Sequence, residues 1–154
     1  MDNIDYEILA CLKENSRDNA TNIGAKINLS TSAVIERIKK MENTGLIEKY
    51  TTIINQSALG RDLVAFTSVR LEHPKYNEEF IAKINENPSV AECHYIAGDF
   101  DFLIKVVTKT GKSLEEMINF VKSIQGVSLT RTSVVLSTSK CEVCLLPDKE
   151  TDIR

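Results

Sequence analysis

Apolar residues recur at helical spacing through the first 45 positions and then take on a strand-like rhythm. Ile4, Ile8, Cys11 and Leu12 predict a first helix from about Ile4 to Asn15. Arg17-Asp18-Asn19-Ala20 is a polar turn. Thr21 is placed to cap a second helix that turns Ile23 and Ile27 inward, and Gly24 marks a close approach to a neighbour. Asn28-Leu29-Ser30 makes the next turn, with Leu29 as its buried plug. Ser30 caps a third helix, in which Val34, Ile38 and Met41 fall at i, i+4 and i+7 as one apolar stripe. Gly45 closes that helix where a left-handed residue is wanted. Three helices of this length and order predict a helix-turn-helix unit.

Beyond Gly45 the stretch Leu46 to Ile54 is rich in β-branched residues and predicts a small wing or connecting strand. Residues 55–62 are polar and turn-like, and the domain boundary falls there. The rest alternates. Leu63 to Glu72 predicts a strand, and Pro74 opens a helix with Tyr76, Phe80, Ile81 and Ile84 on one side. Asn87-Pro88 stops it, and Val90 to Ala97 is a second strand. Phe102 to Thr108 is a third strand, Gly111 to Ile124 a helix carrying Leu114, Met117, Ile118 and Val121, and Leu129 to Leu146 a long final strand region. The order βαββαβ predicts a ferredoxin-like sandwich, an α+β fold joined here to a winged helix-turn-helix domain. Both strand parities carry apolar residues: Phe102, Ile104 and Val106 against Leu103 and Val107, and Val134 and Leu136 against Val135. A solvated sheet face alternates to polar, so a second copy of the chain is expected to cover this one.

Composition narrows the class. With 154 residues, 42% hydrophobic and 27% charged, the chain has a soluble globular make-up and room for two small domains. No run of 18 apolar residues exists, and the acidic start lacks a signal peptide's regions, so a cytoplasmic protein with no membrane partner is expected. The net charge of −3 is awkward for a DNA binder. Residues 1–60 hold 7 Lys/Arg against 8 Asp/Glu, so phosphate affinity must come from local clustering and from two copies acting together.

That clustering lies on the third helix. Arg37, Lys39 and Lys40, with Lys26 and Lys49 nearby in sequence, are the candidate phosphate contacts. Thr31, Ser32 and Ala33 are placed to reach base edges, and Ser30 and Glu36 complete the open side. The plain alternative is an amphipathic helix with a solvated charged face. Gly98-Asp99-Phe100-Asp101 brings two carboxylates into one turn, which suits acid–base chemistry, a cation, a turn tied to backbone amides, or capture of an amino acid's ammonium group. Thr130, Thr132 and Ser133 can add hydroxyls from the last strand. Lys109-Thr-Gly-Lys-Ser113 resembles the end of a P-loop, but Val106 stands where its first glycine belongs. Cys141 and Cys144 form one Cys-x-x-Cys without a second pair, and His73 and His94 are isolated, so no metal site, no cofactor and no enzyme are expected.

Several of these segments together carry a family likeness. Asp5-Tyr-Glu-Ile-Leu, Ile27-Asn-Leu-Ser30, Arg37-Ile-Lys-Lys-Met41 and Thr44-Gly-Leu-Ile-Glu-Lys-Tyr50 form one set of motifs. Val90 to Val106 with its Gly-Asp-Phe-Asp, Gly126-Val, and Thr130-Arg-Thr-Ser-Val-Val-Leu136 form a second. At these residues the chain resembles the Lrp/AsnC, or feast/famine, transcription regulators from Ile4 to about Leu146. The resemblance implies a regulator of double-stranded DNA, homodimers through the C-terminal sheets, further assembly to an octamer, and a small amino-acid effector held between dimers near Gly98 to Asp101 and the last strand. Residues 1–50 are then the DNA-binding domain, 51–62 a connecting strand or linker, 63–146 the effector-binding and oligomerisation domain, and 147–154 a tail. The family usually has Ala where this chain has Gly24. The alternative from another class is an amino-acid-binding module whose helical domain binds a protein partner.

Overall fold

The computed structural model describes residues 1–146; the expected tail, 147–154, lies outside the described residues. The chain forms two compact units, Met1–Ile53 together with the segment from Lys140, and Ile54–Ser139.

In the first unit α1 spans Asn3–Glu14, α2 Ala20–Ile27 and α3 Thr31–Asn43. Asp2 caps α1, accepting from the Asp5 amide at 2.8 Å, while the Asp5 carboxylate accepts from the Asp2 amide at 3.1 Å. This capping box satisfies two amides that a helix start leaves unpaired. Ser30 caps α3 as expected, accepting from Ala33 at 3.3 Å. The cap of α2 is Asn19, not Thr21: its side chain accepts from the Asn22 amide at 2.8 Å, and the helix has begun by the time Thr21 is reached. Ile8, Ile23, Val34 and Met41 close the core of this unit.

The α2–α3 turn is tight. Asn28 sits in the left-handed region at φ 55°, and the Leu29 amide donates back to Gly24 O at 2.9 Å. A Cβ on Gly24 would collide with the Leu29 carbonyl oxygen, so glycine fits the close approach that the sequence predicted.

The expected wing is absent: no strand forms between Leu46 and Ile54 among the described residues. Strand propensity needs a neighbouring strand to pair with, and none is there. Leu46, Ile53 and Ile54 are exposed as a result. The segment is held instead by the Ile47 amide on Met41 O and by the Tyr50 hydroxyl, which donates to Glu42 Oε1 at 3.0 Å.

In the second unit β1 (Leu63–Leu71), α4 (Asn77–Asn85), β2 (Val90–Tyr95), β3 (Phe102–Thr108), α5 (Gly111–Ser123) and β4 (Val127–Val134) give the expected βαββαβ order. The sheet runs β2-β3-β1-β4 with every neighbour antiparallel. Ala65, Val69, Phe102, Ile104 and Val106 pack under Phe80 and Ile84 of α4 and Leu114, Met117 and Val121 of α5. The pairing of Phe66 with Lys105 and of Ser68 with Leu103 puts Val64, Phe66, Leu103 and Val107 on the other face, away from α4 and α5. The last strand is shorter than expected. It ends at Val134, and Leu136 is 97% exposed, because the polar run Ser137-Thr-Ser-Lys offers nothing to bury. The chain from Lys140 belongs to the first unit, where Glu142 pairs with Lys13 at 2.9 Å.

Candidate nucleic-acid interface and effector turn

The apolar stripe of α3 faces the core, so its remaining sides stay open. Ala33, Glu36, Arg37, Lys39 and Lys40 line one groove of about 740 Å³, whose edge includes Asp2. Ser30, Thr31 and Ser32 stand exposed at the helix start. The Ser30 and Ser32 hydroxyls lie 3.2 Å apart, and Thr31 reaches Thr21 at 3.4 Å. Four small polar or methyl-bearing groups thus share one helix end, with two lysines one to two turns further on.

The basic residues are not equivalent. Lys39 and Lys40 are exposed and have no ion-pair partner among the described residues. Lys26 is tied to Asp18 at 3.0 Å, and its pKa is raised by that carboxylate's hydrogen bond. Arg37 Nη1 bonds both Asp2 Oδ2 and Asp5 Oδ1 at 2.7 Å. The Asp5 amide, and then Arg37, hold the Asp2 carboxyl below its ordinary value. Lys49 is exposed but does not line the groove. Sequence spacing shows which residues are basic; it does not show that acidic residues at positions 2 and 5 fold back to one of them.

In the second unit the turn Gly98 to Asp101 leads into β3. Gly98 takes φ 139°, a conformation that side chains rarely adopt. The Asp101 carboxylate accepts from the Leu71 amide at 2.7 Å, and its own amide donates to Val69 O at 2.9 Å. Of the readings open to this turn, backbone bonding is the one Asp101 fulfils. Thr130 pairs with Val69 and so lies one strand from the turn. Thr132 is two residues further along and shares a 3.0 Å hydrogen bond with Thr67, while Ser133 points to the opposite face.

Two arginines that the sequence did not single out for this turn flank it. Arg70 Nε donates to Asp99 O at 2.7 Å, and its guanidinium lies 5.5 Å from the Phe100 ring centre. The Arg131 guanidinium lies 5.4 Å from the same ring. Period-two alternation along β1 and β4 places both on the sheet face away from α4 and α5, a signal visible in the chain once the strands are paired.

The other motifs are absorbed by structure. Thr110 and Ser113 form the capping box of α5, so the P-loop-like hydroxyl serves a helix start. Cys141 and Cys144 are exposed thiols in an irregular segment rather than on a strand. Among the described residues no group of three or more His, Cys, Asp or Glu is close enough to hold a metal ion.

Comparison with known proteins places both halves. Residues 1–42 match the AsnC-type helix-turn-helix domain and residues 64–143 the Lrp/AsnC ligand binding domain. The chain is 33% identical over 149 residues to the HTH-type transcriptional regulator FL11 of Pyrococcus furiosus, covering 97% of each. It is similar to the solved transcriptional regulator NMB0573 of Neisseria meningitidis, in complex with L-Met, at TM-score 0.90 and 25% identity, covering 94% of this chain and 96% of that one. E. coli AsnC is similar at TM-score 0.88 and 26% identity, with 96% and 99% covered.

Proposed function

The chain belongs to the Lrp/AsnC family of helix-turn-helix transcriptional regulators, and from that premise we propose how its two units divide the work. In the first, α3 enters the major groove. Thr31, Ser32 and Ala33 meet base edges there, and Lys39 and Lys40 meet phosphates. The observation that carries this reading is the exposed, Ser30-capped start of α3 beside two unpaired lysines.

The second unit binds a small amino acid at the turn Gly98 to Asp101. The L-Met complex of the Neisseria regulator supports that class of effector. Phe100, with Arg70 and Arg131 against its ring, offers apolar surface and positive charge together, which suits an amino acid's side chain and carboxylate. Asp99 is the carboxylate in reach of its ammonium group, since Asp101 is engaged with Leu71.

The sheet face away from α4 and α5 is covered by a second copy, giving a dimer that offers two recognition helices to two half-sites. Dimers assemble further, up to an octamer, and effector binding between dimers shifts DNA occupancy. Two copies also answer the charge problem, because modest basic patches add. The protein acts as a regulator and not as an enzyme, in the cytoplasm where its DNA lies; no helix among the described residues is long and apolar enough to cross a membrane.

The test pairs two measurements on the full chain. Gel shift on duplexes from its own promoter region should give specific binding that weakens as salt rises, and calorimetry across the twenty amino acids should find one or a few that bind and shift that affinity. Absence of specific binding to any such duplex removes the DNA reading, and absence of heat with every amino acid removes the effector reading.

A further inference from the structure

Arg37 stands in the middle of α3, in the groove that holds Lys39 and Lys40, and its guanidinium is turned to Asp2, at that groove's edge, and to Asp5. One nitrogen, Nη1, bonds two carboxylates at 2.7 Å each. Those carboxylates are the cap of α1 and the third residue of that helix, already fixed to one another by the capping box. Asp5 is the more enclosed, its side chain 12% exposed against 54% for Asp2. These two side-chain hydrogen bonds join α3 to α1 and its cap.

α1 and α3 also share an apolar cluster that holds Ile8, Val34 and Met41. Apolar burial is non-directional. Charge-assisted hydrogen bonds are short and directional, and they fix one geometry. A helix that reads bases from its first turn depends on that geometry.

We infer that Arg37 is a positioning residue for the recognition helix: held by Asp2 and Asp5, it sets how α3 presents Thr31, Ser32 and Ala33, and it is not itself a phosphate contact. The inference rests on the DNA-binding reading above. It reverses an electrostatic expectation. Removing an acid from a DNA-binding unit normally strengthens binding, because repulsion of phosphate falls. Removing Asp5's charge here weakens it, because α3 loses its anchor.

Fluorescence anisotropy with the full chain and a labelled duplex from its own promoter region, across a salt series, decides the matter. Asp5→Asn keeps an oxygen that can accept from the Asp2 amide and loses the charge that holds Arg37. It should bind about tenfold more weakly, the ratio that corresponds to losing one charge-assisted hydrogen bond. Its salt slope should equal the parent's. Arg37→Met should likewise lose affinity at unchanged slope, whereas Lys40→Ala should flatten the slope by about 0.9, the share of one phosphate contact. If Asp5→Asn binds as well as or better than the parent, or if Arg37→Met flattens the slope as Lys40→Ala does, Arg37 is not a positioning residue. Should Asp5→Asn fail to fold by circular dichroism, the slope of Arg37→Met alone settles the question. A parent chain that binds no duplex sinks the DNA reading and this inference with it; a binding parent with an indifferent Asp5→Asn sinks only the inference.

Discussion

The carboxylate of Asp101 accepts a hydrogen bond from the amide of Leu71 at 2.7 Å, which ties the turn before β3 to the last residue of β1. Asp101→Ala would leave that amide without its partner in a partly buried place, at a cost of about 1–3 kcal/mol. Urea unfolding should show a lower midpoint and an unfolding free energy reduced by that amount, with Asp101→Asn, whose side chain still accepts, losing less. The response to amino acids in calorimetry should fall with it, because Gly98 to Phe100 would no longer be held. An Asp101→Ala midpoint equal to the parent's would show that the carboxylate does not secure the turn.

Lysine and hydroxyl residues on α3 should separate into two kinds of effect. Lys39→Ala should weaken binding to every duplex alike and lower the salt slope by about 0.9, as expected of a lost phosphate contact. Ser32→Ala should leave the slope alone and change the ranking of duplexes altered at one or two base pairs, by about 1 kcal/mol for one lost hydroxyl contact. Competition binding with a panel of single-base variants measures both. A uniform loss with Ser32→Ala would place that hydroxyl on phosphate instead.

Asn28 carries the turn between α2 and α3 with φ at 55°. Asparagine tolerates the left-handed region better than other side chains, and alanine does not have its local hydrogen bonding. Asn28→Ala should therefore destabilise the helical unit by about 1 kcal/mol, while Asn28→Gly should be neutral or slightly stabilising at a site that glycine favours. Thermal melts should place Asn28→Ala below both the parent and Asn28→Gly; coincident melts would mean the turn carries no such strain.

Much of this was legible from spacing. The stripe Val34, Ile38, Met41 and the cap Ser30 defined α3, and the order of strands and helices after Leu63 defined the sandwich. What escaped has a common physical cause. Leu46 to Ile54 has strand-forming residues but no strand beside it, and a partner is a tertiary fact. The end of β4 at Val134 likewise reflects where the chain leaves the sheet, which β-branched residues beyond it do not encode. At the sites, residue type was readable but pairing was not: Asp2 and Asp5 reach Arg37 across more than thirty residues, and Arg70 meets Phe100 only when β1 is brought to the turn.

The segment after α3 gives a last test, in alkaline solution. The Tyr50 hydroxyl donates to Glu42 Oε1 at 3.0 Å, and burial, then that hydrogen bond, pushes its pKa from 10.0 up to about 12. A raised pKa means that the folded chain keeps a proton which the unfolded chain releases first. The stability this bond supplies is therefore fully present below pH 10 and is lost as pH climbs towards 12. Tyr50→Phe has neither the bond nor the titration. At pH 8 it should be less stable than the parent by up to about 1 kcal/mol, the ordinary worth of one hydrogen bond at a partly exposed site. Between pH 10 and 12 the parent should fall towards the variant, because only the parent spends free energy keeping Tyr50 neutral beside a carboxylate. Paired urea titrations of the two chains at half-unit pH steps read the difference directly. A gap that stays constant from pH 8 to pH 12 would show that Tyr50 ionises as freely in the folded chain as in the unfolded one, and that Glu42 does not hold it.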